Sequence, residues 1–494
     1  MKTLSYLLSH TTSLEVIGPR EAVVGAIVFD SREVATHRQA DTTVMYVAQR
    51  GTQTDGHRYI DNAIGDGAGV VVCENLPENI HSEVTYVRVA DGAIALGELA
   101  AAFYDFPSKK LKLVGITGTN GKTTTVTLLH RLFTEMKHAT GLISTIVNKV
   151  KEREIATSHT TPDALTLNEL LSEMVSEGCE YCFMEVSSHA ICQHRIAGLQ
   201  FAGGIFSNIT HDHLDFHKTF ANYIQAKKAF FDGLPANAFA LTNVDDKNGL
   251  VMVQNTAAAV HRYGLQHDAE FKGKILENAF EGLHLQVNGT ECFFRLSGRF
   301  NAYNLLAIYG TAVLLGGDKD EILMKMSNLG AAEGRFHVIR NGRGGVAVID
   351  YAHTPDALEN VLTTIRDITN ADEEVLTVVG CGGNRDALKR PVMAGIACKY
   401  SSRVILTSDN PRWEDPNEIL RQMEAGVPDE KRDNTLVIEN RHSAIQTACM
   451  MLADHGVILI AGKGHEKYQD AQGVKHHFDD SEEVCNNWKI PYKK

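Results

Sequence analysis

A glycine-rich segment between an apolar run and an amphipathic stretch has the residue types of a phosphate-binding loop. Its residues are Gly118, Thr119, Asn120, Gly121, Lys122 and Thr123. Glycines let backbone N–H groups curl around phosphate oxygens, and the start of the following helix adds partial positive charge. Lys122 would neutralise phosphate oxygens and Thr123 would coordinate Mg²⁺. The strict motif fails because position 116 is Ile, so a turn with an exposed lysine is the alternative, but the whole arrangement favours nucleotide binding.

Carboxylates and imidazoles cluster after two further apolar runs. The first cluster contains Glu185, Ser187 and His189, and the second contains His211, Asp212, His213, Asp215 and His217. Such groups could bind Mg²⁺, or zinc for a hydrolytic reaction. Taken singly, most of these histidines are ordinary surface or core residues. The neighbouring glycine loop favours magnesium over zinc.

Lys227 lies on the apolar face of a helix predicted over residues 220–234, together with Phe220, Tyr223 and Phe230. A lysine against an apolar face has a lowered pKa and a reactive neutral amine. The alternative is a side chain that covers the face with its methylenes and keeps its ammonium in water. On spacing alone, this second interpretation is favoured.

The second half of the chain carries groups suited to adenine, ribose and a γ-phosphate, namely Asn301, Asn304, Arg335 and Asp350. A second glycine loop at 380–383 resembles a dinucleotide fingerprint, but Arg385 stands where the third glycine should fall. We therefore do not expect NAD to bind, although the loop could hold an anion.

These polar clusters share one position, since each directly follows a buried apolar run. The runs are residues 111–116, 181–184, 203–206, 346–349, 375–379, 403–407 and 457–460. Apolar runs that alternate with helical periods indicate parallel sheets with crossover helices, and ligands bind at the carboxyl ends of such strands. We therefore expect two sites that face each other across a cleft.

Length and composition limit the class of protein. A chain of 494 residues exceeds a single hydrophobic core, so several domains are expected, the first of them a small α/β domain. The net charge of −13 argues against a general nucleic-acid binder, and no apolar run reaches the 18 residues of a membrane span. Nine scattered cysteines fit free thiols in a reducing cytoplasm.

In combination, these segments resemble the Mur ligase family over nearly the whole chain. The matching segments, in order, are GTNGKTT (118–124), HTTPD (159–163), MEVSSH (184–189), QHR (193–195), NITHDHLDFH (208–217), YIQAK (223–227), FNAYN (300–304), GR (334–335), DYAHTPDALE (350–359), GCGGNRD (380–386), DNPR (409–412) and AGKGHE (461–466). The ordered combination is far more specific than any single segment. The short glycine loop is the family's own form.

The resemblance implies an α/β protein of three domains. Residues 1–107 would bind a UDP-sugar, residues 108–332 would form a P-loop ATPase-type domain with a mostly parallel sheet, and residues 333–494 would form a Rossmann-like domain for an amino acid. The implied reaction uses ATP and Mg²⁺ to join meso-diaminopimelate to UDP-N-acetylmuramoyl-L-Ala-D-Glu through an acyl phosphate, in cytoplasmic peptidoglycan precursor synthesis. A monomer is expected. L-lysine as the amino acid, a P-loop kinase or NTPase, and a zinc hydrolase are the alternatives.

The resemblance also assigns residues. Catalytic roles fall to Lys122, Lys227, Glu185 and His213, and the metal ligands would be Thr123, Glu185, His213 and Lys227, the last as a carbamate (N6-carboxylysine). The ATP site would comprise Gly118, Thr119, Asn120, Gly121, Lys122, Thr123, Thr124, Asn301, Asn304, Arg335 and Asp350. The UDP-muramoyl-peptide contacts would be Ser31, Thr52, Gln53, Thr54, Thr160, Thr161, Ser187, Gln193 and Arg195.

The implied amino-acid pocket comprises Arg385, Asp409, Asn410, Pro411, Arg412, Gly462 and Glu466. Meso-diaminopimelate differs from L-lysine by a second carboxylate at its far end. A guanidinium binds a carboxylate through two parallel hydrogen bonds, so Arg412 could hold that group while Glu466 takes the neighbouring ammonium. The alternative is a structural salt bridge of Arg412 and a pocket for lysine.

Overall fold

The protein is described by a computed structural model that covers residues 1–51, 54–157, 159–210, 212 and 214–492, without the side chains of Leu214 and Asp215. Three large sheets follow one another along the described chain, and helices pack on each of them. The α/β class predicted from the apolar runs is therefore confirmed. None of the helices in the described part is long and apolar enough to cross a bilayer.

The first sheet is mixed, with a parallel centre. Its strands are β1 (Lys2–Thr3), β2 (Ser13–Ile17), β3 (Val23–Val28), β4 (Thr43–Val47), β5 (Ala68–Cys73) and β6 (Thr85–Val89), in the order β1-β3-β4-β5-β6-β2. The accompanying helices are α1 (Leu4–Leu8), α2 (Ile60–Gly65) and α3 (Gly92–Phe103). The centre from β3 to β6 is parallel, whereas β1 and β2 pair antiparallel at the edges.

The second sheet is the largest and carries the glycine loop. Its strands are β7 (Lys112–Thr117), β8 (Thr140–Ile143), β9 (Asn148–Val150), β10 (Arg153–Ile155), β11 (Tyr181–Glu185), β12 (Gly203–Phe206), β13 (Phe239–Asn243), β14 (Ala259–Gly264), β15 (Phe271–Ala279), β16 (Gly282–Val287) and β17 (Thr290–Phe294). The order is β10-β9-β8-β11-β7-β12-β13-β14-β15-β16-β17, parallel from β8 to β15 and antiparallel beyond. Because β7 lies between β11 and β12, the polar residues that follow these three strands meet at one edge.

Helices cover both faces of this second sheet. They are α4 (Lys122–Glu135), α5 (Ala164–Ser176), α6 (Ser188–Cys192), α7 (Leu214–His217), α8 (Phe220–Asp232), α9 (Gly249–Met252), α10 (Arg299–Leu314) and α11 (Lys319–Met326). α4 buries Val126, Leu129 and Leu132, spaced by three residues, in the core that it shares with β7 and β11. This packing fixes the helix N-terminus directly behind the glycine loop.

The third sheet has a parallel centre and one antiparallel edge strand. Its strands are β18 (His337–Arg340), β19 (Val346–Asp350), β20 (Val375–Val379), β21 (Arg403–Leu406), β22 (Thr435–Val437) and β23 (Val457–Ala461), in the order β18-β19-β23-β20-β21-β22. The hairpin of β24 (Tyr468–Ala471) and β25 (Val474–His477) stands apart. The helices are α12 (Pro355–Ile368), α13 (Lys389–Tyr400), α14 (Pro416–Glu424), α15 (Arg441–Met451) and α16 (Asp480–Trp488).

The predicted apolar runs coincide, within a residue or two, with β7, β11, β12, β19, β20, β21 and β23. The predicted domain limits at 107/108 and 332/333 fall between the three sheets and remain predictions. All nine cysteines are free thiols, as the sequence predicts.

Candidate functional site

The glycine loop is a tight turn between β7 and α4. Gly118 and Gly121 have φ values of +152° and +88°, and Gly121 is the N-cap of α4. A Cβ at Gly118 would collide with Ser207 Oγ, and one at Gly121 with Asn304 Oδ1. Both positions therefore need glycine, because the backbone approaches two other segments and, at Gly121, adopts a left-handed conformation. The loop presents the helix N-terminus to a ligand, as phosphate sites do.

Lys122 folds back over this loop. Its Nζ donates to Gly118 O at 3.0 Å and to Thr119 O at 2.9 Å, so both of these partners are neutral carbonyls. Burial lowers the pKa of Lys122, and the charges of Glu185 and Asp212 oppose this shift. Among the described residues, the hydrogen-bond partners of this half-buried ammonium are carbonyls, which suits it to receiving an anion.

Lys227 lies on α8 with its side chain buried. Its Nζ donates to Gly118 O at 2.8 Å and lies 4.6 Å from the centre of the Tyr223 ring. Burial, reinforced by the charge of Lys122, holds the pKa of Lys227 well below its usual range. The interpretation favoured by spacing alone, an ammonium in water, is therefore wrong, because the amine ends on the phosphate loop. The predicted helix ends two residues early, at Asp232, since Gly233 is its C-cap.

Glu185 provides the clearest candidate for a metal ligand. Its Oε1 accepts hydrogen bonds from Thr123 Oγ1 and from the Thr145 backbone N–H, both at 2.8 Å. Its Oε2 is buried and has no hydrogen-bond partner among the described residues. A carboxylate oxygen left without a partner beside a threonine hydroxyl suits a hard cation such as Mg²⁺.

The histidines of the second predicted cluster are described only in part. His213, the other predicted ligand, lies outside the described residues, as does His211 of the zinc alternative. His217 exchanges a 2.9 Å hydrogen bond with Ser188 Oγ. Over the ranges that the structure describes, no three His, Cys, Asp or Glu side chains cluster closely enough to hold a metal.

Asn301 and Asn304 are buried on α10 and bond to each other. Asn304 Nδ2 donates to Asn301 Oδ1 at 3.0 Å, and the Asn304 carbonyl oxygen faces Gly121. Both predicted amides are thus next to the phosphate loop. Thr124 is buried in the first turn of α4, one residue beyond Thr123.

Arg335 and Tyr351 join the glycine loop to the third sheet. Arg335 Nη2 donates to Thr123 Oγ1 at 3.2 Å, and its guanidinium carbon lies 4.7 Å from the centre of the Tyr351 ring. The Tyr351 ring lies 4.8 Å from that of His465. Gly334 allows the close backbone approach at this junction, because a Cβ there would collide with the backbone of Gly464 and His465. A chain of contacts therefore leads from the phosphate loop to the loop after β23.

Asp350 ends β19 beside this junction. Its Oδ2 accepts a hydrogen bond of 2.7 Å from the Phe336 backbone N–H. Burial raises the pKa of Asp350 to about 6, although Arg335 and this hydrogen bond act in the opposite direction. The carboxyl is thus poised to change its charge near neutrality.

The residues predicted to contact the muramoyl-peptide lie together at the end of β11. Thr161 Oγ1 donates to Glu185 O at 2.8 Å and accepts from Ser187 N at 3.1 Å. Arg195 donates to Thr161 O at 2.7 Å and to Gln193 Oε1 at 2.9 Å. Thr160 accepts from Thr145 Oγ1 at 3.1 Å, which places all five beside the metal-ligand candidate.

The predicted UDP contacts lie in the first segment of the chain. Ser31 is buried at the start of a short 3₁₀ turn after β3. Thr54 is exposed, and its carbonyl accepts from Gly51 N at 2.9 Å. Thr52 and Gln53 lie outside the described residues.

The predicted amino-acid pocket is organised around Asn410. Its Oδ1 accepts from Lys463 Nζ and from Asp470 N, both at 2.9 Å, and its Nδ2 donates to Glu466 Oε2 at 2.7 Å. Lys463, which the sequence reasoning did not single out, is completely buried. Burial and the nearby Asp409 raise the pKa of Glu466, against the charge of Lys463. A Cβ at Gly462 would crowd the Asp409 carboxylate, which explains the glycine.

Arg412 lies at the edge of this network in a left-handed conformation with φ of 52°. Its backbone N–H donates to Asp470 O at 2.9 Å and its Nη1 to Gly383 O at 2.8 Å. No ion pair of Arg412 is found within the described residues, so the predicted alternative of a structural salt bridge gains no support there. Pro411 and Arg412 pack directly on Gly382 and Gly383, where a Cβ would meet their atoms. Arg385 is exposed on the same loop.

Comparison with known protein families gives matches over most of the chain. Residues 116–312 match the model of the Mur ligase middle domain, and residues 334–464 match that of the Mur ligase glutamate ligase domain. Residues 30–104 match the model described as the Mur ligase family, catalytic domain. The matched segments contain the glycine loop, Glu185, Lys227, Asn410 and Lys463.

Similar proteins extend over the full length. The UDP-N-acetylmuramoyl-L-alanyl-D-glutamate–2,6-diaminopimelate ligase of Phocaeicola vulgatus is 54% identical over 479 residues, which are 97% of this chain and 98% of the relative. The ligase of the same name from Cytophaga hutchinsonii is 54% identical and covers 96% of each chain. A solved structure of a ligase of that name superposes with a TM-score of 0.69 at 28% identity and covers 99% of each chain.

Proposed function

The chain belongs to the Mur ligase family, and from that premise we propose that it adds meso-diaminopimelate to UDP-N-acetylmuramoyl-L-alanyl-D-glutamate. The reaction is an ATP-dependent, ADP-forming ligation in peptidoglycan precursor synthesis. Relatives with that name, 54% identical over nearly the full chain, support the substrates. The observation that carries the proposal is the contact chain from Thr123 through Arg335 and Tyr351 to His465, since it joins a phosphate loop to an amino-acid pocket.

The chemistry requires a carboxylate to be activated before an amine can attack it. The acceptor carboxylate of the dipeptide attacks the γ-phosphorus of ATP, ADP leaves, and an acyl phosphate forms. The neutral amine of the amino acid then attacks the acyl carbon, phosphate leaves, and the amine proton is released. Lys122 and the backbone N–H groups of the loop stabilise the charge on the transferring phosphoryl group.

Mg²⁺ is part of the proposal because the donor set fits it. Thr123 and Glu185 would hold the ion, and His213 and Lys227 are the further candidates. When bound, Mg²⁺ neutralises phosphate oxygens and brings two anionic substrates together. The unpartnered Oε2 of Glu185 supports this assignment.

Lys227 enters this set as a carbamate. The neutral amine attacks CO₂, a C–N bond forms, and one proton is released to leave an anion. Burial and the charge of Lys122 lower the pKa of Lys227, which favours the neutral amine that the reaction with CO₂ needs. A carbamate would place an anionic group, able to ligate the metal, beside the Gly118 carbonyl.

Arg412 is proposed to select the amino acid. Its guanidinium would bind the distal carboxylate of meso-diaminopimelate, and Glu466 would accept from the neighbouring ammonium. L-lysine would leave the half-buried guanidinium of Arg412 without a carboxylate partner, so we expect it to be disfavoured by a factor on the order of 10³ or more. Of the alternatives, a kinase or simple NTPase leaves the network around Asn410 without a role.

Phosphate release from ATP tests these proposals together. We expect release only when UDP-N-acetylmuramoyl-L-Ala-D-Glu, meso-diaminopimelate and Mg²⁺ are all present, with L-lysine refused. Equal turnover of the two amino acids would overturn the specificity, and ATP hydrolysis that does not depend on the dipeptide would favour an NTPase.

The location and the oligomeric state are further parts of the proposal. The nine free thiols support a reducing cytoplasm as the location. Light scattering measures the oligomeric state, for which we predict a monomer.

A further inference from the structure

Asp356, in the first turn of α12, reaches from the third sheet to the phosphate loop of the second. Its Oδ2 accepts hydrogen bonds from Asn120 Nδ2 at 2.6 Å and from Thr210 Oγ1 at 2.9 Å. Asn360 Nδ2, one turn along α12, donates to the same oxygen at 3.2 Å. The two distant donors are separated from Asp356 by 236 and 146 positions in sequence. One carboxylate oxygen thus joins two loops of the second sheet to a helix of the third.

The two loops that Asp356 holds are the ones that follow β7 and β12. Asn120 is the central residue of the glycine loop, and its backbone N–H donates to Asn208 Oδ1 at 3.0 Å. Thr210 N donates to Thr119 Oγ1 at 3.0 Å. Asp356 therefore completes a hydrogen-bonded frame around the turn that must fit the phosphates.

Apart from the hydrogen bond with Asn360, the contacts of Asp356 are separate from those that cap α12 and bury it. Thr354 caps the helix, since its Oγ1 accepts from Ala357 N at 3.3 Å. Leu358 and Leu362 bury the helix in the core of the third sheet. Burial raises the pKa of Asp356, and the hydrogen bonds from Thr210 and Asn120 oppose this rise. Burying this carboxyl costs free energy, and the hydrogen bonds from Asn120 and Thr210, which precede the third sheet in the chain, offset part of that cost.

We propose that Asp356 is a positioning residue that shapes the phosphate loop for nucleotide when α12 is docked on it. This inference rests on the proposed function, because it assumes that the loop binds ATP. Asp356 need not touch the substrates, as it acts through Asn120 and Thr210. Nucleotide affinity then depends on the position of the segment that carries the amino-acid pocket.

The test compares Asp356→Ala and Asp356→Asn with Asp367→Ala, a control on the same helix whose side chain is exposed. Loss of a charge-assisted contact predicts that Asp356→Ala weakens ADP binding and raises the KM for ATP by about 10-fold. The KM for the amino acid should change less than about two-fold, because the pocket residues keep their own contacts. Asp356→Asn keeps the shape of the side chain and should lie between Asp356→Ala and the unmodified protein.

A double-mutant cycle with Thr210→Val separates positioning from a general loss of stability. Because Thr210 donates to the same oxygen, its removal after Asp356→Ala should have little further effect on ADP affinity. Additive effects would overturn the inference, and so would equal ADP affinity in Asp356→Ala and Asp367→Ala. If Asp356→Ala fails to fold, the same comparison is made with Asp356→Asn. An unmodified protein that binds no nucleotide would overturn the proposed function as well.

Discussion

Lysine side chains are enclosed in two regions of this molecule, and their partners differ between the two regions. At the phosphate loop, Lys122 and Lys227 both donate to the carbonyl of Gly118, and the charge of Lys122 lowers the pKa of Lys227. In the amino-acid pocket, Lys463 lies 3.5 Å from the Glu466 carboxylate and bonds to Asn410. Lys227 and Lys463 are fully buried and Lys122 is half-buried. Among the described residues, an ion pair with a carboxylate is found for Lys463 and not for the two lysines of the loop.

The difference indicates that ligand binding changes the charge partners of the lysines in the first region more than in the second. At the phosphate loop, Lys122 and Lys227 both bond to neutral carbonyls, so an anionic substrate would supply the charged partner that these lysines lack. The pocket has its central charges balanced already and keeps Arg412 as the remaining selective cation. A change in the first region should therefore affect catalysis, whereas a change in the second should affect the affinity for one substrate.

We expect the largest loss of activity from removing Lys227. Lys227→Ala should lose nearly all activity, on the order of 10³-fold or more, because both the amine and its proposed carbamate disappear. Short carboxylic acids added to the assay should restore part of it by supplying an anion. The matched control is Lys228→Ala, whose buried Nζ pairs with Asp232 at 2.6 Å and whose loss should lower Tm without any rescue. Full activity in Lys227→Ala would contradict the carbamate.

Glu185→Gln changes the charge of the same region and keeps most of its shape. The hydrogen bond with Thr123 can persist, so we expect normal folding and a fall in turnover of about 10²-fold. Raising the Mg²⁺ concentration should recover some of this loss. A chelator selective for zinc should leave the unmodified protein active, and loss of activity with it would support the hydrolase alternative.

Lys463→Met tests the pocket side of the comparison. The substitution leaves Glu466 without its cation and removes one of the two hydrogen bonds that Asn410 Oδ1 accepts. We expect the KM for meso-diaminopimelate to rise by about 10-fold, with the KM for ATP nearly unchanged. This is the reverse of the pattern expected for Asp356→Ala, and equal effects on both KM values would mean that the two regions are not separable.

The smallest expected effect concerns Asp350, between the two regions. Its pKa is raised from 3.8 to about 6 in the folded protein, so the contribution of its neutral form to stability is complete below pH 3.8 and is lost as the pH rises through about 6. Asp350→Asn keeps a neutral side chain at every pH. Its Tm relative to the unmodified protein should therefore increase between about pH 4.5 and pH 7.5, by a few degrees. A constant difference in Tm would contradict the raised pKa.

Local patterns in the sequence predicted much of the fold. Apolar runs gave the central strands of the second and third sheets, because buried parallel strands are continuously apolar. The antiparallel extension β15–β17 was not foreseen, although β16 (Gly282–Val287) alternates buried and half-buried positions near its end and carried a signal of period two.

Contacts between distant segments were beyond local patterns. Spacing placed Lys227 on the correct face of α8 but misjudged its exposure, since its Nζ bonds to Gly118 O, 109 positions away, and no local pattern encodes that contact. Asp356 and Lys463 gave no local signal of their contacts for the same reason. The ordered set of family motifs identified the loop and pocket residues as candidates. The roles assigned to these residues remain predictions.

Gly334 is a position at which any side chain would disturb two sites at once. No side chain fits there, because the backbone of Gly464 and His465 occupies the space and Tyr351 N donates to Gly334 O at 3.0 Å. Any replacement would shift Arg335 away from Thr123 and at the same time push on the loop that carries Lys463 and Glu466. A substitution in the loops of one substrate site can thus change that site alone, whereas a substitution at position 334 would disturb both sites together.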